Sequence, residues 1–169
     1  MNRMLVLTVL SLSLAACAGD KAGPRAGANL QPTQGNTASG EVVFEQKGSV
    51  VLVKAEVKGL KPNAEHGFHI HEKGDCSAAD GTSAGGHFNP AGKPHGSHHM
   101  MEAHAGDMPN LKADANGMAK LSAELTNVTL NAGASNILGK GVIVHAMPDD
   151  YKSQPTGNAG ARIACGVVK

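Results

Sequence analysis

A chain of 169 residues with 15 basic and 14 acidic side chains has room for one domain. The near balance of charge excludes a global basic surface for nucleic acid and an acidic solvating tail, so any attraction of a charged substrate must be local. Aromatic content is 2% and tryptophan is absent while glycine occurs 22 times, so the core rests on Val, Leu, Ile, Met and Ala with many turns, a composition that favours a β-rich fold with long loops.

Met1-Asn2-Arg3 is followed by an apolar run from Met4 to Ala16, too short to span a bilayer and suited to the hydrophobic region of an export signal. Leu14-Ala15-Ala16-Cys17 resembles the bacterial lipobox, in which the signal is cut before the cysteine and that cysteine is lipidated. The expectation is a signal peptide over 1–16 and a lipid anchor to a membrane at Cys17; an ordinary signal with a chance cysteine is the alternative. If lipid consumes Cys17, the three cysteines leave Cys76 and Cys165 as a pair in an oxidising compartment. Residues 17–40 hold Gly, Ala, Asn, Gln, Pro and Thr with almost no large apolar side chain, and read as a flexible tether to a domain over 41–169.

Alternation begins at Glu41. Val42, Val43 and Phe44 lead to a turn at Lys47-Gly48, and Val50 to Val53 continue toward Val57, a hairpin pattern. Further strands are expected over 67–71, 118–125 after the Asn116-Gly117 turn, 142–145 and 162–168, with no long amphipathic helix. Between them lie two long loops, from about Glu72 to Asn110 and from Met147 to Ala161, far beyond usual connection lengths.

Nearly all the histidines fall in the first loop or on strand ends beside it. His69 and His71 are one residue apart in a strand, so both rings share one face while Phe68 and Ile70 point to the other. His87, His95, His104 with Asp107, and His145 complete the set. Imidazole suits copper and zinc; three imidazoles with a carboxylate make a closed tetrahedral zinc site, and an imidazole-only group with an open position suits a redox metal. These seven candidates are one short of two four-coordinate sites, so one imidazole, most simply His87, would serve both.

The segments Gly67-Phe68-His69-Ile70-His71, Gly86-His87-Phe88-Asn89-Pro90, His104-Ala105-Gly106-Asp107 and Gly157-Asn158-Ala159-Gly160-Ala161-Arg162-Ile163-Ala164-Cys165-Gly166 resemble copper/zinc superoxide dismutases, in the order of that family and with the cysteine pair in place. The resemblance runs from about Glu41 to Val168 and implies an all-β, immunoglobulin-like Greek-key barrel or sandwich with two long functional loops. It implies copper on His69, His71, His87 and His145, and zinc on His87, His95, His104 and Asp107, with His87 as bridge. It makes Asp149 the outer carboxylate joining a copper-binding to a zinc-binding histidine, a part that Asp150 could also fill. Arg162 becomes the guide for superoxide, a small anionic substrate, with His87 sharing the proton handling.

Some features depart from the family or find no place in it. The Cys76 to Thr82 segment is closer to the bacterial branch, and the 150–156 loop is short, without an acidic steering pair. His98, His99, Met100 and Met101 have no settled counterpart and Lys152 is unassigned, whereas His66 matches a family position that, by the resemblance, supports the site without ligating a metal. Monomer and homodimer are both compatible with the sequence. The rivals are an exported copper or zinc binding module, disfavoured because all seven ligands and Arg162 are present, and a zinc hydrolase, disfavoured because the zinc set has four protein ligands.

Overall fold

The computed structural model describes residues 23–169; the expected signal peptide and Cys17 lie outside them. The strands are β1 (Arg25–Pro32), β2 (Ser39–Lys47), β3 (Val50–Lys58), β4 (Glu65–His66), β5 (Phe68–His71), β6 (Leu111–Lys112), β7 (Ala119–Leu125), β8 (Gly141–His145) and β9 (Arg162–Val167). Among the described residues the only helix is a single 3-10 turn, Thr82–Ala84.

The expected hairpin is present, with β2 and β3 in register from Ser39 opposite Lys58 to Lys47 opposite Val50. The inward positions Val42 and Phe44 on β2 and Val51, Val53 and Val57 on β3 are fully buried, as a two-residue period requires when one face meets a core. Each such side chain contributes roughly 1.5 to 3 kcal/mol by leaving water.

The seven-stranded sheet runs β5-β8-β9-β1-β2-β3-β7. From β3 the chain crosses to the far edge to form β5 and then returns to place β7 beside β3. This is a Greek-key route, and the antiparallel sheet curls around Leu30, Phe44, Phe68, Ile70, Met108 and Ile137. The two parts of the curled sheet are joined by β1: its first six residues pair with β2, while Gln31 and Pro32 pair with Cys165 and Ala164 of β9.

That strand corrects the expectation of a tether over 17–40. Within 25–32 the chain is a buried sheet member, with Ala26, Ala28 and Leu30 facing the core. Its inward residues are small, and alanine is a weak strand former, so composition disguised a two-residue period that was present. The two-residue β4–β6 ladder is likewise unexpected from sequence.

The long loops fall where expected, between β5 and β6 and between β8 and β9. The first doubles back along β5: Ile70 N donates to Gly106 O at 2.9 Å, Phe88 N to Ile70 O at 2.8 Å and Gly106 N to Phe88 O at 2.8 Å. A Cβ on Gly106 would be driven into the Ile70 carbonyl, so only glycine permits this approach. Phe68, Ile70, Phe88 and Met108 enter the core, while His69, His71, His87 and Asp107, adjacent to them in sequence, gather elsewhere.

Candidate metal centre

His69 and His71 on β5, His145 at the end of β8 and His87 from the first loop form one buried group. Each has one ring nitrogen tied down. His69 Nε2 donates to Asp149 Oδ2 at 2.7 Å, His71 Nδ1 to the Gly85 carbonyl at 2.9 Å and His145 Nδ1 to the Gly160 carbonyl at 3.1 Å. His87 Nδ1 lies 2.9 Å from Asp107 Oδ1. The opposite nitrogens, His69 Nδ1, His71 Nε2, His87 Nε2 and His145 Nε2, are buried without any hydrogen-bond partner. Buried polar atoms in native proteins are nearly always paired. Here ligand atoms of the four rings lie within 4.8 Å of one another, an arrangement a cation satisfies.

His87, His95, His104 and Asp107 form the second group. Asp107 Oδ1 lies 2.9 Å from His87 Nδ1, 3.1 Å from His95 Nδ1 and 3.4 Å from His104 Nδ1, and the Nδ1 atoms of His104 and His87 are 3.4 Å apart. Tetrahedral ligands around zinc at its usual bond lengths are about 3.3 Å apart, so this donor set fits zinc. Asp107 Oδ2 is fixed by the amides of Gly96 at 3.0 Å and His104 at 3.1 Å. His87 is common to both groups.

Burial sets the protonation of the first group. It holds His71 well below the ordinary histidine value, and brings His87 to about 4 and His145 to about 3. These rings are therefore neutral near pH 7, with lone pairs available to a metal. For His95 burial works downward, but the Asp107 and Asp149 carboxylates on its two nitrogens prevail and raise it to about 9. Burial opposes ionisation of Asp107 too, yet hydrogen bonds from His104, His87, His95 and the Gly96 amide hold it far below the carboxylate range.

Asp149, and not Asp150, joins the groups: its Oδ1 accepts from His95 Nε2 at 2.9 Å and its Oδ2 from His69. Asp150 instead caps its own exposed loop through the Lys152 and Ser153 amides. Gly157 closes over Asp149 with φ +66°, and a Cβ there would strike Asp149 Oδ1. Arg162, half-buried on β9, donates to the Gly81 carbonyl at 2.8 Å and the Gly85 carbonyl at 2.6 Å. Gly85 O also accepts from His71, so one loop carbonyl fixes both the arginine and an imidazole of the first group. The Cys76–Cys165 disulfide, with Cα atoms 5.8 Å apart, clamps this loop to β9.

Three residues that sequence reasoning missed hold the frame. Asn110 exchanges hydrogen bonds with the Asp149 backbone, donating to its carbonyl and accepting from its amide at 3.0 Å each. The Tyr151 hydroxyl accepts from the Asn110 amide at 2.8 Å, and Gln154 clamps both backbone groups of His95 at 2.8 Å. Nothing in their sequence context marks them. His66 donates from Nδ1 to the His145 carbonyl at 2.8 Å and belongs to neither group; His98, His99, Met100 and Met101 also lie outside both.

A Greek-key β-sandwich bearing two adjoining imidazole clusters with one shared ring defines a metalloprotein with paired metal sites. Residues 38–168 match the family described as copper/zinc superoxide dismutase, and the chain belongs to that family of oxidoreductases, whose metals are copper and zinc. It is 46% identical over 149 residues to "Superoxide dismutase [Cu-Zn] 2" of Aquifex aeolicus, covering 86% of each chain. It is 49% identical over 134 residues to "Superoxide dismutase [Cu-Zn] 1" of the same organism, covering 77% of this chain and 79% of the relative. Among solved structures, the clock protein EA4 superposes with a TM-score of 0.77 at 39% identity, covering 85% of this chain and 92% of the other. A SOD-like protein from Bacillus subtilis gives 0.75 at 36% identity, with 83% and 96% covered.

Proposed function

We propose that the protein dismutates superoxide in the cell envelope, with copper held by His69, His71, His87 and His145, zinc held by His87, His95, His104 and Asp107, and His87 bridging the two. The observation that carries this reading is the shared His87, whose Nε2 is unpartnered in the first group while its Nδ1 sits beside Asp107 in the second. Copper held there would supply the one-electron exchange that superoxide dismutation needs, two superoxides and two protons giving one oxygen and one hydrogen peroxide. The zinc group has four protein donors and no open position, which gives it a structural character and disfavours hydrolysis.

The chain's own residues do the rest. His87 holds and releases a proton at Nε2, while Nδ1 remains on the zinc side next to Asp107. Asp149 accepts the outer N–H groups of His69 and His95, fixing their tautomers and ring orientations. Arg162, permanently charged and held by the Gly81 and Gly85 carbonyls, draws the anion toward the first group and hydrogen-bonds to it. The lipobox-like segment ending in Cys17 supports export and attachment to a membrane through lipid, facing the periplasm.

Superoxide decay by the purified protein loaded with both metals tests the reading, alongside zinc-only protein and Arg162→Ala. Decay should require copper and fall roughly ten-fold in the variant, the scale of lost electrostatic guidance. A fully loaded protein with no copper-dependent decay would leave a metal-binding module as the better account. Mass measurement of the mature amino terminus tests the anchor: an unmodified terminus away from Cys17 overturns it.

A further inference from the structure

The geometry points to a third metal site, outside both imidazole groups, formed by His98, His99, Met100 and Met101 and suited to monovalent copper. Methionine is an apolar residue that stabilises a fold by leaving water, yet Met100 is 55% exposed and Met101 80% exposed, side by side in sequence. Packing therefore accounts for neither. Thioether and imidazole are, however, the donors that monovalent copper prefers, and four such side chains occur here without interruption.

Local structure folds the segment back on itself and brings its two imidazoles together. Met100 N donates to Ser97 O at 2.8 Å and Ala103 N to Met100 O at 3.2 Å, so 97–103 coils through two successive turns. The His98 and His99 rings, which an extended chain would hold apart on opposite sides, approach to 3.7 Å between centroids. His98 Nδ1 is buried without a hydrogen-bond partner, the same condition that marks the ring nitrogens of the first metal group. The Met100 thioether folds back over Gly96: a Cβ built on that glycine would lie 3.6 Å from Met100 Sδ. Lys93 donates to the Met101 carbonyl and is balanced by Glu102 3.8 Å away, so the surroundings add no large net charge.

The position of the segment supplies a role. It lies between His95 and His104, both members of the second group, and the Gly96 amide beneath the thioether donates to Asp107 Oδ2. A copper ion captured on this loop would be held at the edge of the metal centre, on the same turn that fixes the centre's carboxylate. The site goes beyond the dismutase reading, since none of its four residues takes part in that chemistry.

The test uses protein with both metal groups filled, titrated without oxygen with monovalent copper against a chromophoric chelator. One further equivalent should bind, with sulfur neighbours visible in X-ray absorption at the copper edge. Met100→Leu with Met101→Leu keeps the apolar shape, so its fold and superoxide decay should match the parent, but its affinity for the extra equivalent should fall at least ten-fold and the sulfur signal should vanish. His98→Gln with His99→Gln should weaken binding independently. The absence of a further equivalent, or leucine-variant binding within two-fold of the parent, overturns the site.

Discussion

Asp149 couples the two imidazole groups through a single carboxylate, and its two oxygens have no spare role: one takes His69, the other His95 and the Tyr151 amide. Asp149→Asn replaces one acceptor with an N–H donor facing another N–H. Loss of such an outer hydrogen bond typically costs 10- to 100-fold in metal affinity, and that range is expected here for copper and zinc in competition with a chelator. Asp150→Asn, at the next position in the chain but bonded only within its exposed loop, should change neither affinity; equal effects from the two variants would show that the coupling lies elsewhere. Part of the two groups was legible in the sequence because a core residue of opposite facing stands beside it: Phe68 beside His69, Phe88 beside His87, Met108 beside Asp107. His95, between Pro94, which is exposed, and Gly96, has no such neighbour. Asn110, Tyr151 and Gln154 were not legible, because they act on backbone atoms far away in sequence, and any polar side chain in a loop looks the same until the chain has folded.

Among the elements, β1 carries the consequence that composition concealed. If 25–32 were a tether, Leu30→Ala would be nearly silent; as a strand with Leu30 fully buried, it should cost roughly 2 to 5 kcal/mol in urea unfolding. A cost below about 0.5 kcal/mol would return the segment to the tether reading. The β2, β3, β5 and β8 strands were legible because Val, Ile and Phe mark most of their inward positions, whereas β1 marks most of its own with alanine. On β9, Cys165 is joined to Cys76 across 89 residues, and Arg162 hangs from carbonyls of the loop so secured. Replacing both cysteines by serine should lower stability by about 4 to 5 kcal/mol on chain-entropy grounds. It should also reduce superoxide decay in fully metallated protein, since the arginine's two carbonyl partners lose their tie to its strand. Full activity with lowered stability would separate the disulfide from the placement of Arg162.

For the whole molecule, the metal groups are where the sheet and the two long loops meet, so metal occupancy and folding must be linked. Strand alternation predicted most of the strands but not their order, because pairing such as that of Phe68 on β5 with Val144 on β8 joins residues far apart in sequence; the order followed only from the family resemblance. Within the centre the two groups are unequal when no metal is bound. The second is internally satisfied, with Asp107 bonded by three imidazoles and two amides. The first buries four unpartnered nitrogens, and each such group costs about 1 to 3 kcal/mol. Metal-free protein should therefore keep its sheet yet open the loop between β5 and β6 more readily than the metallated form. Zinc at about a thousand times its dissociation constant adds about 4 kcal/mol to a fold that alone can bind it. For a domain of this size that corresponds to a rise in Tm of roughly 8 to 16 °C, read by calorimetry, with matching protection of the loop from proteolysis. The same addition to Asp107→Asn should give a far smaller rise, because the carboxylate that gathers the second group's donors is gone; an equal rise in both proteins would place zinc's stabilising contact outside this group.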